Sequence, residues 1–450
     1  MKRWKKCLAV GLSMATMATT VACGNGNTAA SEEPSEQPQE QAAAEPQEQT
    51  TDGEKPKIVF WDMVWGNEES ITIAKNMCEE YSKENNVEVE YQSVPWDNFY
   101  QTFLTAIAAG EAPDCSSGSS YMPMQLYDMD AIYPLDDMIA DMYADGEIDD
   151  YAMKDLVEAY KYKDHYVALP TGIDMRIAYC RTDILEEHGL SIPTNWEEFR
   201  HCLEVLADPD NNKYGMALSG NGDNGKAMFQ WIINNGGGLF NEQGEPDCVT
   251  DRNIEAVDYL LGLINDGLVN PASAGMTSDD AKAAFAKGDA AFFWGPPGMM
   301  SQLPELTDKV AVMSPLEAPH GDKCAVYWNG GLMAYSQSKY PKETCDFMRW
   351  FTANMTSYCV DGKYSMFPVR NTVLSAPAYA NDPVVQEIVK EYLPVMKNIA
   401  ANSKELFSEL SAVESDGTLD AVIQSMFTPG ATAEQLLQTE QENLNMIFGK

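Results

Sequence analysis

From Lys57 onward the spacing of apolar residues switches back and forth between two periods, which limits the chain to folds that interleave strands with helices. Lys57-Ile58-Val59-Phe60-Trp61 is a short apolar run, Ile71, Ala74, Cys78 and Tyr81 recur at helical spacing, and Val87, Val89 and Tyr91 alternate. A period of 3.6 gathers side chains on one helix face and a period of 2 on one strand face, so the order is strand, helix, strand. Asp97 is placed to cap a further helix with Tyr100, Phe103 and Ile107 on its apolar face, closed by Gly110. The alternation continues. Thr194 and Glu197 have capping-box spacing ahead of Trp196, Phe199, Leu203 and Leu206, and Tyr214 to Leu218 reads as a strand. Ala227 to Asn234 and Val257 to Ile264 read as helices, Ser278 as the cap of a helix ending at Gly288, and Ala290 to Trp294 as a buried strand. Pro341 and Pro383 stand where the first turn of a helix tolerates proline. This predicts an α/β protein with a mostly parallel sheet and ligands at the carboxyl ends of strands. A length of 450 residues exceeds one ordinary core and predicts two domains.

Charge removes whole classes of function. Asp and Glu number 69 against 30 Lys and Arg, a formal charge of -39, which opposes broad contact with a phosphate backbone, so nucleic acid is excluded as a partner. A mean hydropathy of -0.33 excludes a polytopic membrane protein. The N-terminus reads as an export signal: Lys2, Arg3, Lys5 and Lys6 precede an apolar run to Ala22 that is too short for a membrane span. Thr20-Val21-Ala22-Cys23 resembles the bacterial lipobox, with threonine in place of the usual leucine, and predicts residues 1–22 as a lipoprotein signal peptide and Cys23 as the lipidated residue. Residues 23–56 have no large apolar side chain and predict a disordered tether.

Of ten cysteines, eight remain once Cys7 and Cys23 are set aside, scattered and without CxxC, so they are expected to be free and buried. His165, His188, His201 and His320 have no metal-ligand spacing, and no metal or cofactor is expected. Gly220-Asn221-Gly222-Asp223-Asn224-Gly225-Lys226 fits the spacing of a phosphate loop, but Ala227 lacks the hydroxyl for Mg²⁺ and Asp223 repels phosphate, so a flexible turn at a cleft rim is expected. Asp208 to Lys213 alternates oxygen ligands as a calcium loop does, yet Lys213 stands where glycine is needed, and a turn is expected.

The aromatic residues point further. Trp61 and Trp65 follow the first strand, and Ser116 to Tyr121 follow Pro113-Asp114. Trp231 lies near Asn234-Asn235-Gly236, Trp294 precedes Gly295-Pro296, and Trp328-Asn329 precedes Gly330-Gly331. Trp196 falls on the apolar stripe of its helix and reads as core, as do Trp350 and Trp96. Tryptophans at strand ends beside glycines are placed to stack on a ligand with an apolar face and a hydrogen-bonding rim, such as a pyranose. Sealing a lobe edge is the competing role for each of them.

Four stretches carry a resemblance that runs from about Lys57 to the C-terminus: Ala112-Pro113-Asp114, Ala168-Leu169-Pro170 through Tyr179 to Arg181-Thr182-Asp183-Ile184-Leu185, Pro193-Thr194-Asn195-Trp196-Glu197-Glu198, and Phe285-Ala286-Lys287-Gly288-Asp289-Ala290-Ala291-Phe292. Together they resemble the extracellular solute-binding lipoproteins of bacterial ABC sugar importers, the maltose-binding-like family 1. The chain departs from that family at Cys115-Ser116-Ser117, where a β-branched or aromatic strand is usual. The resemblance implies a two-lobed, type II periplasmic-binding-protein-like fold with a ligand cleft between lobes joined by crossing strands near Pro170 to Ile177, Trp328 to Leu332 and Phe367 to Arg370. Residues 57–172 with 331–368 would form lobe 1, and 173–330 with 369–450 lobe 2. It implies a monomer with no catalytic residue, tethered to the outer face of the plasma membrane, that captures a neutral saccharide for an ABC permease. Trp61, Trp65, Ser117 and Tyr121 would contact ligand from lobe 1, and Trp231, Trp294 and Trp328 from lobe 2 or the hinge. Asp174, Arg176, Asn235 and Arg370 would select among hydroxyl patterns. For Asp174 and Arg176 a mutual ion pair is an equal reading. A lipid-anchored glycoside hydrolase and a binder of polyamines or other cations are the alternatives.

Overall fold

The computed structural model describes residues 55–450 except 97, 98, 224 and 416. The expected signal peptide, Cys23, nearly all of the expected tether and the Asp97 expected as a cap lie outside the described residues.

β1 (Lys57–Met63), α1 (Glu68–Glu84), β2 (Glu88–Val94), α2 (Phe99–Ala109) and β3 (Cys115–Ser119) follow the order that the periodicity dictates. Asn67 caps α1, its side chain accepting from the Ser70 amide, and the helix buries Ala74, Met77, Cys78 and Tyr81 at the expected spacing. β1 lies parallel to both β2 and β3. The same sheet then changes direction. β4 (Leu169–Met175) runs antiparallel to a long, fully buried strand, Ala325–Tyr335, which in turn runs antiparallel to β3. The mostly parallel sheet expected from the sequence is therefore corrected to a mixed one, because these strands carry the chain from one sheet to the other and are not the ends of strand–helix–strand units.

Only Arg176 separates β4 from β5 (Ile177–Arg181), which belongs to a second sheet with β6 (Tyr214–Met216), β7 (Ala290–Gly295) and β8 (Val310–Val312). The order there is β8-β5-β7-β6, with β5 antiparallel to its neighbours β7 and β8. The chain then re-enters the first sheet as β9 (Ala325–Tyr335) and returns once more as β10 (Phe367–Pro368), giving the order β10-β4-β9-β3-β1-β2, with two-residue strands flanking β9. A register shift at Gly330/Gly331 bends β9 against β4. A Cβ on Gly331 would lie 2.9 Å from the Leu169 carbonyl oxygen, so only glycine lets the two backbones approach there.

α3 (Trp196–Leu206), α4 (Lys226–Asn234), α6 (Ser278–Lys287) and α7 (Pro341–Ala353) pack on the strands, while α5 (Asp251–Asn265) and the C-terminal α8 (Leu410–Ser415), α9 (Thr418–Met426) and α10 (Ala433–Ile447) pack on other helices. Two caps lie one residue from where spacing alone puts them. Asn195 caps α3, and the Glu198 carboxylate accepts from the Thr194 amide and hydroxyl. Thr277 caps α6 in a reciprocal box with Asp280. Each sheet has its own aromatic core. Phe60 meets Phe347 and Phe351 edge-on at 5.4 and 5.2 Å in the first; Phe199 meets Phe292 at 4.9 Å in the second. Burying each such ring contributes about 1.5–3 kcal/mol. All eight cysteines among the described residues are buried and unpaired.

Candidate ligand cleft

A cleft of about 540 Å³ opens where the ends of β1 and β2, the crossing strands β4 and β9, and the starts of α2 and α4 meet α8. Trp65 and Trp96 form one wall. Their rings pack edge to face at 4.5 Å and 87°, and Phe99 extends the wall, 5.4 Å from Trp96. Both indoles are pinned by their nitrogens: Trp65 Nε1 donates to Ser117 Oγ (3.0 Å) and Trp96 Nε1 to the Val64 carbonyl (2.8 Å). Ser117 is itself anchored, donating to Asp62 Oδ1 at 2.7 Å while accepting from the Met63 amide at 2.8 Å. Burial pushes the Asp62 carboxyl up to about 6, and the hydroxyls of Ser117, Tyr358 and Tyr91 restrain the rise. The fixed ring faces of the wall therefore rest on a buried hydrogen-bonded carboxyl below it.

The floor is Trp328 on β9 and Asp174 on β4, neighbours across the ladder. Asp174 accepts from Arg176 Nη1 (2.7 Å) and Lys226 Nζ (3.2 Å), and Arg176 Nη2 reaches Asp223 at 3.2 Å. Burial alone would raise the Asp174 carboxyl, but Arg176 and Lys226 outweigh it and hold it below the usual range. Burial likewise opposes the Arg176 charge, and Asp174 and Asp223 outweigh that too. Lys226 Nζ lies 4.9 Å from the centre of the Trp328 ring, a cation–π contact. Asp174, Asp223, Arg176 and Lys226 thus form a closed set of two anions and two cations. Glu414 of α8 lies outside that set. Burial pushes it up to about 8, Lys226 and Ser120 pull it down, and Asp174 adds to the rise.

Of the residues expected to meet ligand, the structure brings Trp65, Asp174 and Trp328 together in this cleft. Ser117 lies behind Trp65 as its anchor, and Arg176 lies behind Asp174 in the ion pair weighed from the sequence. The others are elsewhere. Trp61 packs on Phe103 at 5.4 Å, and Tyr121 is 2% exposed in the core. Trp231 sits inside an aromatic cluster with Trp196, Phe199, Tyr259 and Trp294, because its helix turns its apolar face inward. Asn235 donates to the Arg252 carbonyl and to Glu255, closing the end of α4. Arg370 lies 4.3 Å from the centre of the Tyr151 ring and donates to Thr352, tying the chain after β10 to α7. The sequence reading missed Trp96, Lys226 and Glu414. Trp96 is 40% exposed rather than core, and it ends a strand as Trp65 does, followed in the chain by Phe99 and Tyr100.

The Asp208 to Lys213 segment closes as a turn by backbone bonds between its two ends, and Asn211 donates to Asp208. Among the described residues no cluster of three His, Cys, Asp or Glu side chains is arranged for a metal ion.

With this geometry in place, comparison with known proteins identifies the family. The profile described as "Bacterial extracellular solute-binding protein" matches residues 65–356. The chain belongs to that family. This solute-binding protein is 25% identical over 342 residues to the maltotriose-binding protein of Pyrococcus abyssi, spanning 73% of this chain and 70% of that one. Against binding proteins of Brucella abortus it is 22% identical over 231 residues, so it spans about half the length, 53%, of those relatives. Among solved structures, a sugar transporter from Arthrobacter chlorophenolicus A6 with bound laminaribiose superposes with a TM-score of 0.78 at 29% identity, covering 87% of this chain and 99% of the other. Maltose-bound MalE3 of T. maritima superposes at 0.70 and 18% identity, covering 87% and 99%, a likeness of fold. The expected two-lobed fold is thereby established, and the homologues and fold neighbours are substrate-binding proteins rather than enzymes.

Proposed function

We propose that the protein captures a neutral saccharide in this cleft without altering it and delivers it to the membrane permease of an ABC importer. The observation that carries the reading is the convergence of Trp65, Trp96 and Trp328 with Asp174 and Lys226 in one open cleft. Ring faces take the apolar face of a pyranose, while a fixed carboxylate and an ammonium take its hydroxyls. The 29% identical sugar transporter with laminaribiose and the maltotriose-binding relative support the same class of ligand. Trp65, Trp96, Trp328, Asp174, Lys226 and Glu414 are assigned as ligand contacts, with Ser117 and Arg176 as their supports. The lobe boundaries belong near residues 172, 330 and 368, although β4 and β9 each continue across those positions within one sheet. Cys23 would hold a monomer to the outer membrane face through the tether, and its lipidation is open to metabolic labelling with an alkyne fatty acid.

Isothermal titration with laminaribiose, maltotriose, arabinotriose and spermidine tests the reading. The expected result is saturable binding of at least one saccharide with no release of reducing ends. Trp96→Ala should lose roughly 1–3 kcal/mol of that affinity while its melting point stays near that of the parent, since the ring is exposed. Binding of spermidine alone, or steady release of reducing ends, would overturn it.

A further inference from the structure

The loop Gly220-Asn221-Gly222-Asp223-Asn224-Gly225-Lys226 has the spacing of a phosphate cradle, and the structure gives that spacing an internal use. Gly222 and Gly225 both take positive φ, 72° and 70°, and direct their amides at one carboxylate. The Gly222 amide donates to Asp420 Oδ2 at 2.7 Å and the Gly225 amide to Asp420 Oδ1 at 2.8 Å. Asp420, on the first turn of α9, is 8% exposed. Gln424, one turn on, donates to the Gly220 carbonyl at 3.0 Å. A Cβ on Gly225 would collide with Leu419, so the loop and α9 are closely fitted as well as hydrogen-bonded. The turn that the sequence presents as flexible is therefore clasped, and its nest of amides holds an anion supplied by the chain itself.

The clasp joins two segments that both end in the cleft. On one side the loop runs directly into Lys226, the first residue of α4, and carries Asp223, which accepts from Ser219 (2.7 Å) and Arg176. On the other, α9 follows α8, whose Ser411, Glu414 and Ser415 line the cleft. α8 packs against the helix Met122–Asp128 beside β3 and against α10, and α9 packs against α10 and α4. We propose that Asp420 is a positioning residue for ligand capture: by filling the loop's amide nest it fixes Lys226 and Glu414 relative to each other in the same cleft. Asp420 is not among the residues lining the cleft, and it acts through those two. The proposal rests on the saccharide-capture reading for its consequence on affinity, but the clasp itself can be tested without ligand.

The test uses the whole chain and four variants, Asp420→Ala, Asp420→Asn, Gly225→Ala and, as a destabilised control in the core of the first sheet, Phe347→Ala in α7. Hydrogen exchange, read without ligand, should show the Gly222 and Gly225 amides exchanging about ten-fold or more faster in Asp420→Ala, as expected for the loss of two charge-assisted bonds. Affinity for laminaribiose or maltotriose should fall about ten-fold in Asp420→Ala and less in Asp420→Asn, which keeps one acceptor. Sodium acetate should restore part of that affinity in Asp420→Ala and none in Gly225→Ala, where the nest is misshapen but the carboxylate remains. Phe347→Ala should leave both loop exchange and affinity near the parent values. Unchanged loop protection in Asp420→Ala overturns the clasp, and equal affinity losses in Asp420→Ala and Phe347→Ala at matched melting points overturn the positioning role. If the parent binds no saccharide, the capture reading fails, while the exchange measurement still decides whether the clasp exists.

Discussion

Glu414 shows how one side chain can be set by its neighbours. It lies in the cleft beside Asp174, outside the balanced set of Asp174, Asp223, Arg176 and Lys226, and burial carries it to about 8. Its folded value lies above its ordinary one, so the native state holds a proton that the unfolded chain releases, and stability falls as pH rises from about 4.5 to about 8. Glu414→Gln should therefore match the parent's melting point near pH 5 and exceed it at pH 9, by roughly 1–2 kcal/mol once solvent screening of a half-buried group is allowed for. Saccharide affinity should fall between pH 7 and 9 in the parent, as a carboxylic acid that can donate becomes a carboxylate that cannot, and stay flat in the variant. Calorimetry at the two pH values checks both. Little of this was legible beforehand. Trp65 and Trp328 were singled out because tryptophans at strand ends are a local signal, and Asp174 because the family resemblance implies an acid on the first crossing strand. Lys226 was visible only as part of a loop that looked like something else, and Glu414 is one of 69 acids, distinguished only by where α8 packs.

For whole elements the sequence spoke more clearly, with two systematic gaps. The strand–helix alternation of the first fifty described residues and the helices of the second sheet follow directly from period, caps and prolines. Strand direction did not, since β4, β9 and β10 pair with partners more than a hundred residues away and nothing local marks the sense of a crossing. The aromatic cluster under α4 shows the second gap. Trp231 and Trp294 follow the same strand-end and glycine cues as Trp65, but the amphipathic face of α4 turns Trp231 onto Trp196, Phe199 and Tyr259, and Trp294 joins it at 5.4 Å. Trp231→Ala should cost about 3–5 kcal/mol of stability by leaving a cavity, as read by urea unfolding, and shift saccharide affinity far less than Trp96→Ala does. The reverse ranking would mean that this cluster, and not the wall of Trp65 and Trp96, contacts the ligand.

For the whole molecule, the two sheets are joined by strands rather than by a loose linker, which suits rigid bodies that move about a few backbone positions. A ligand favours a closed arrangement only through contacts that the open one lacks. Saturating saccharide should accordingly shrink the radius of gyration in small-angle scattering and raise the melting point by the equivalent of about 2.7 kcal/mol at a hundred times Kd. A higher melting point with an unaltered scattering curve would mean capture without closure.

The eight thiols of the folded body, each enclosed and none bridged, have a practical meaning for how such a chain matures. With no disulfide among the described residues, the described body needs no oxidant to reach this fold. Every one of those sulfurs becomes reactive only when the packing around it opens, which makes the rate of alkylation a built-in gauge of how often the molecule comes apart.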